Sequence, residues 1–133
     1  METKTIKQSI VFKAPPHEVY EALMDSDKHS QFTGSSAEVS REVDGKFTAW
    51  DGYIMGVNVE LIPDEKIVQS WRAEEECWPE DHYSTITMTL KKESSGTKLT
   101  FNQDGVPEEC YEDIKQGWND FYWKPLKKFL EKK

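Results

Sequence analysis

Over the middle of the chain, apolar side chains recur at every second position. Between 84 and 93, Ile86, Met88 and Leu90 alternate with Thr85, Thr87 and Thr89, and after 97, Leu99 and Phe101 alternate with Lys98 and Thr100. A period of two is the side-chain repeat of a β-strand, so these runs predict strands with one apolar and one wetted face. The same reading covers residues 3–13, which carry Ile6, Ile10 and Phe12. It also covers 53–62, where Val57, Val59 and Leu61 alternate, and the run from Ile67 through Trp71 and Arg72. Asp44-Gly45 and Asp51-Gly52 lie between β-like runs and predict hairpin turns, because glycine takes a positive φ without steric penalty.

The pattern turns helical near both ends. Pro15 or Pro16 suits a helix start, and Val19, Ala22 and Leu23 then share a stripe. A second short helix is predicted from Ser26 to Phe32, broken by the Gly34 region. Pro107 opens a long helix predicted to reach residue 132, with carboxylates at its start and lysines at its end, as the helix dipole favours. At about 100° per residue, Cys110, Ile114, Gly117, Trp118, Phe121 and Pro125 share one side. This stripe is expected on the sheet, with Gly117 allowing a close approach. Trp123, Leu126 and Leu130 form a second stripe on the far side. Pro125, which lacks a backbone donor, predicts a bend between the two. The second stripe either packs on the first helix or N-terminal strand, or presents Trp123, Leu126 and Leu130 to a protein partner.

A strand, two short helices, roughly six strands and a long helix make an α+β fold. It is expected as a single domain over residues 1–133, an antiparallel sheet with its apolar face covered by the C-terminal helix. The net charge of −8 argues against non-specific nucleic-acid binding and against adsorption to anionic lipid. No apolar run approaches the ~20 residues of a membrane span, and the stretch METKTIKQSI lacks the apolar core of a signal peptide. A cytoplasmic protein is therefore expected. Its two cysteines, Cys77 and Cys110, are expected as reduced thiols, with a bridge between them as the alternative.

Motifs for chemistry are missing. His17, His29 and His82 have no metal-ligand spacing, and neither a phosphate-binding glycine loop nor a G-x-S-x-G nucleophile turn occurs. No catalytic residue, metal or cofactor is expected. The remaining candidate is a cavity between sheet and helix for a small apolar ligand. Val57, Val59, Trp71, Ile86, Met88, Leu99 and Phe101 would line it from the sheet, and Ile114, Trp118 and Phe121 from the helix. If Arg72 faces inward it would hold a ligand carboxylate; otherwise it is a structural ion pair or faces solvent. The alternative to a cavity is that these large side chains fill the space themselves.

Several segments carry a family resemblance, in this order: APPHEVYEALMDSDKHSQFTG, GKFTAWDGYIMGVNVELIPDEKIVQSWR, WPEDHYSTITMTL, TKLTFNQDGVPEE and GWNDFYWKPLK. Together they resemble the C-terminal domain of the activators of heat-shock protein 90 ATPase, within the START-like (Bet v 1-like, SRPBCC) superfamily. The resemblance implies a helix-grip fold, in which a curved antiparallel sheet grips a long C-terminal helix. It implies two functional traditions: a co-chaperone-like, non-enzymatic partner of a heat-shock protein 90 type ATPase, or a binder of small apolar ligands. In the two-domain activators the N-terminal domain carries the main activating segment, and no RKxNxxLR-like stretch occurs in this sequence.

Overall fold

A computed structural model describes residues 2–131. Its strands are β1 (Thr3–Phe12), β2 (Glu38–Val39), β3 (Lys46–Ala49), β4 (Ile54–Ile62), β5 (Lys66–Ala73), β6 (Ser84–Glu93) and β7 (Gly96–Pro107). Two short helices, α1 (Pro16–Met24) and α2 (Ser26–Thr33), follow β1. After a 3-10 turn at Glu108–Cys110, the C-terminal helix runs through α3 (Tyr111–Gly117), a π-helical turn (Trp118–Trp123) and α4 (Lys124–Leu130). Its predicted last residue, 132, lies outside the described residues.

The seven strands form one antiparallel sheet in the order β1-β7-β6-β5-β4-β3-β2. Sequential hairpins build it from β2 to β7, and β1 adds beside β7. The fold is the expected α+β helix grip. The alternation in β6 and β7 places Ile86, Met88, Leu90, Leu99 and Phe101 inward, all buried.

In β4 the phase is the reverse of the expected one. Ile54, Gly56 and Asn58 face the core, while Val57 is half-buried and Val59 is 53% exposed on the outer face. The inner positions are small or polar for physical reasons. A Cβ on Gly56 would lie 1.9 Å from the Ser70 carbonyl oxygen, so only glycine fits there. Asn58 is fully buried; its Nδ2 donates to the carbonyls of Ser40 (2.7 Å) and Glu42 (3.0 Å), and its Oδ1 accepts from Gln69 Nε2 (2.9 Å). A bulge between Asn58 and Glu60 then shifts the pairing with β5. Val57 and Val59 therefore belong to neither core nor cavity.

The helix also departs from the expected geometry. Lys124 N–H donates to the Asn119 carbonyl, five residues back, so one turn holds an extra residue. The face of the helix is set back by about one residue, roughly 100°. This brings Trp123, Leu126 and Leu130 round to the side already occupied by Ile114 and Trp118, and all five are buried. Of the two alternatives for Trp123, Leu126 and Leu130, packing within the molecule holds: they join the core, and no partner patch is formed there. The same turn carries Phe121 off the sheet, where it is 57% exposed rather than gripping the sheet. Pro125 falls in the first turn of α4. The wider π turn just before it is where the missing N–H and the ring are accommodated.

Side-chain hydrogen bonds fix the helix on the sheet. Trp118 Nε1 donates to Gln103 Oε1 (2.8 Å), Gln103 Nε2 to Ser84 Oγ (2.9 Å), and Ser84 Oγ to the Trp71 carbonyl (3.0 Å). Trp123 Nε1 donates to Gln8 Oε1 (2.7 Å), and Gln8 Nε2 donates to the Lys115 carbonyl (3.1 Å). The two indole N–H groups of the C-terminal helix are therefore each matched by a glutamine from the edge pair β1–β7. From α2, His29 Nδ1–H donates to the Leu23 carbonyl (3.0 Å), which leaves Nε2 to accept from the Tyr122 hydroxyl (3.2 Å).

A disulfide joins Cys77 to Cys110, with Cα atoms 5.6 Å apart. The expectation of two reduced thiols is corrected here. The segment after β5 folds back over the start of the C-terminal helix, bringing the two cysteines within bridging range. Trp78 anchors that segment, buried edge-on against Trp71 with its Nε1 donating to the His82 carbonyl (2.7 Å).

Candidate functional site

The space beneath Trp118 is filled. Between Leu23, Met24, His29, Ile86, Met88, Trp118 and their neighbours the void is about 20 Å³, room for a single water. Leu99 and Phe101 pack in the core, with the Phe101 ring 4.4 Å from that of Trp118. Of the expected cavity residues, Ile86, Met88, Leu99 and Phe101 thus serve the core, as the dense-packing alternative requires.

Arg72 lies on the outer face, one residue out of phase with inward-facing Trp71. The segment after β5 covers it, so it is buried and pairs with the Glu74 carboxylate. Its Nη2 reaches toward the Pro79 carbonyl (3.5 Å), and its buried Nε has no partner among the described residues. A structural ion pair, rather than a ligand carboxylate, occupies Arg72.

A larger space opens along the first half of the C-terminal helix. A cleft of about 650 Å³, partly open to solvent, lies between the π turn and the ends of β4 and β5. Four of the expected residues meet there: Trp71, Ile114, Trp118 and Phe121. They are joined by Trp50, Tyr53, Ile54 and Tyr122, so six aromatic side chains line the cleft. Trp50 stands edge-on to Phe121 (5.8 Å) and to Tyr122 (6.3 Å), and Trp118 lies against Tyr122 (4.6 Å). The turn that presents Trp50 is unusual: Trp50, Asp51 and Gly52 have φ values of 54°, 56° and 92°. A tryptophan in the left-handed region is strained, and such strain gathers at sites where a side chain must be aimed. Gly117 also lines the cleft. A Cβ there would meet only the Phe121 ring, at 3.7 Å, so Gly117 leaves room in the cleft and is not needed for approach to the sheet.

The rim is acidic. Glu75, Asp113 and Asp120 line the cleft, and among the described residues no lysine or arginine does. Asp120 is engaged by Lys124 (3.4 Å) and by Gln116 Nε2 (3.2 Å). Tyr53 is held protonated well above the usual tyrosine range. Burial is the main cause, followed by a hydrogen bond to Glu75 and the charges of Glu75 and Asp113. Tyr122 is likewise pushed up by burial, and a hydrogen bond from Trp50 opposes this. Burial lowers the pKa of His29, with the Leu23 carbonyl acting in the opposite sense. Among the described residues no group of three or more His, Cys, Asp or Glu side chains could hold a metal ion. No helix among them is long and apolar enough to cross a membrane.

Periodicity found Trp71, Ile114 and Trp118 but missed Trp50, Tyr53 and Glu75, which sit in turns or at strand ends. The one signal for Trp50 was its place beside Asp51-Gly52.

A family model described as activator of Hsp90 ATPase homolog 1-like protein matches residues 13–131. Activator of 90 kDa heat shock protein ATPase homolog 1 from Homo sapiens is 32% identical over 92% of this chain and 35% of its own length. The activator homologue from Dictyostelium discoideum is 33% identical over 87% of this chain and 30% of its own. The chain therefore spans about a third of the curated relatives it matches. Among solved structures, an HSP90 activator from Plasmodium falciparum superposes with a TM-score of 0.88, at 26% identity over 96% of both chains.

Proposed function

Because the chain belongs to the family of activator of Hsp90 ATPase homolog 1-like proteins, we propose that it is a non-enzymatic interaction module that binds an Hsp90-type ATPase and alters its turnover. The observation that carries this reading is the extent of the family match, residues 13–131, which takes in every element except β1. The aromatic lining of the cleft supports a binding role. Binding would use the folded surface as it stands, since Trp123, Leu126 and Leu130 are committed to the core.

A cytoplasmic setting is part of the proposal. There the Cys77–Cys110 bridge would meet a thiol-reducing medium, so partner binding should be measured with and without reductant. The test is titration of an isotope-labelled Hsp90-type ATPase with this protein, alongside its rate of ATP hydrolysis. Saturable chemical-shift changes at protein concentrations up to several hundred micromolar, with altered turnover, are expected. Unchanged spectra and unchanged turnover in both redox states would overturn it.

A further inference from the structure

We propose that the cleft at the π turn is a binding site for a small amphiphilic organic cation. An aromatic or alkyl body would lie among Trp50, Trp71, Trp118 and Phe121, with an ammonium group at Glu75 and Asp113. The inference is independent of the chaperone reading, because it concerns a pocket and not a protein surface.

The volume, about 650 Å³, lies in the range of small-molecule sites. The body of the ligand is specified by the walls. Indole and phenyl faces attract a cation through their quadrupoles while burying its hydrocarbon. The head group is specified by the rim. Among the described residues neither Glu75 nor Asp113 takes part in an ion pair, whereas Asp120 does. Two carboxylates without cations therefore border an aromatic cleft that no basic side chain among the described residues lines. An anionic ligand would meet like charge at both, and a neutral one would shield them from water without compensation.

The cleft is also prepared in shape. Phe121 is held out over it by the extra residue of the π turn, and the left-handed Trp50 backbone aims an indole at it from the opposite wall. Tyr53 and Glu75 line the cleft together, so a phenol stands at the same rim as that carboxylate. Without a ligand, Phe121 stays largely in water, which an apolar ring tolerates but does not favour.

The test uses the intact protein, without any chaperone, and three probes of one shape: 2-naphthylmethylammonium, 2-naphthalenemethanol and 2-naphthoate. Binding is followed by calorimetry and by the tryptophan indole resonances in proton–nitrogen spectra, at low and at high salt. The expected order is ammonium, then alcohol, then carboxylate, with the ammonium at least tenfold tighter than the alcohol and weakened by salt. Glu75→Gln with Asp113→Asn, two exposed positions, should bring the ammonium down to the alcohol. Gly117→Leu, at a helical φ where the added Cβ meets only the exposed Phe121 ring, should abolish binding of all probes while leaving the fold intact by circular dichroism. Equal affinity for ammonium and alcohol, tighter binding of the carboxylate, or no saturation by millimolar concentration would each overturn the proposal. Should a short peptide carrying Lys-Trp-Lys saturate the cleft while all three small probes fail, the occupant would be a protein side chain and the proposal would likewise fail.

Discussion

Breaking the Cys77–Cys110 bridge tests how much of this fold's stability resides in its unfolded state. The bonded cysteines are 33 residues apart in sequence. Closing a loop of that length removes conformational entropy from the unfolded chain, worth about 4 kcal/mol by the loop-entropy relation at 25 °C. For a chain of this size that corresponds to a fall in melting temperature of about 10–20 °C. In urea the midpoint should drop by about 2 M, for a denaturant slope near 2 kcal/mol/M. The assay is urea unfolding followed by tryptophan fluorescence, with and without a phosphine reductant, repeated on a Cys77→Ser/Cys110→Ser variant. Reduction and the double variant should agree. A loss below about 1 kcal/mol in both would refute the loop argument. Two free thiols by mass spectrometry after purification without reductant would show that the bridge itself does not form.

His29 is neutral in the core, and its folded pKa lies below the ordinary 6.5. The unfolded chain then binds the extra proton first as pH falls, so stability is full above 6.5 and is lost as pH drops through the folded pKa. Urea titrations between pH 7.5 and 5 should show this loss, and His29→Gln should flatten it. Trp118→Phe keeps the ring packing but removes the donor to Gln103 Oε1, and should cost about 1–3 kcal/mol; adding Gln103→Leu should recover part of it, a coupling measurable by a double-mutant cycle. Gly117→Ala should raise stability by about 0.5–1 kcal/mol in thermal unfolding, since the added methyl meets only the Phe121 ring.

The strands were legible because β6 and β7 bury one kind of residue and expose another. Ile86, Met88 and Leu90 against three threonines leave no second phase. In β4 the signal inverts: the core face carries Gly56 and Asn58 for backbone contact and loop carbonyls, and valines face outward, so hydrophobicity points to the wrong side. On the C-terminal helix the arithmetic of 100° per residue is right up to Trp118 and fails after it. The odd far-side stripe of Trp123, Leu126 and Leu130 was the trace of the extra residue, read as a proline bend. The disulfide and the two indole–glutamine links pair residues far apart in sequence, where local periodicity carries no information. The cleft was half legible, since its helix and β5 residues lie on periodic elements and Trp50, Tyr53 and Glu75 do not.

The π turn also bears on how such sequences are compared. Structurally it is a one-residue insertion stored inside a helix: remove a single position between Trp118 and Trp123 and the remaining residues can close as an ordinary α-helix without moving either end's packing face. A relative lacking that residue would need a gap in mid-helix, where gaps are ordinarily penalised. Aligned without it, the homologue's core aromatic would be matched to Phe121 and its cleft would seem to have changed character. Matches of Phe121, Tyr122 and Trp123 to other chains therefore carry meaning only after the hydrogen-bond register of this turn has been established in both.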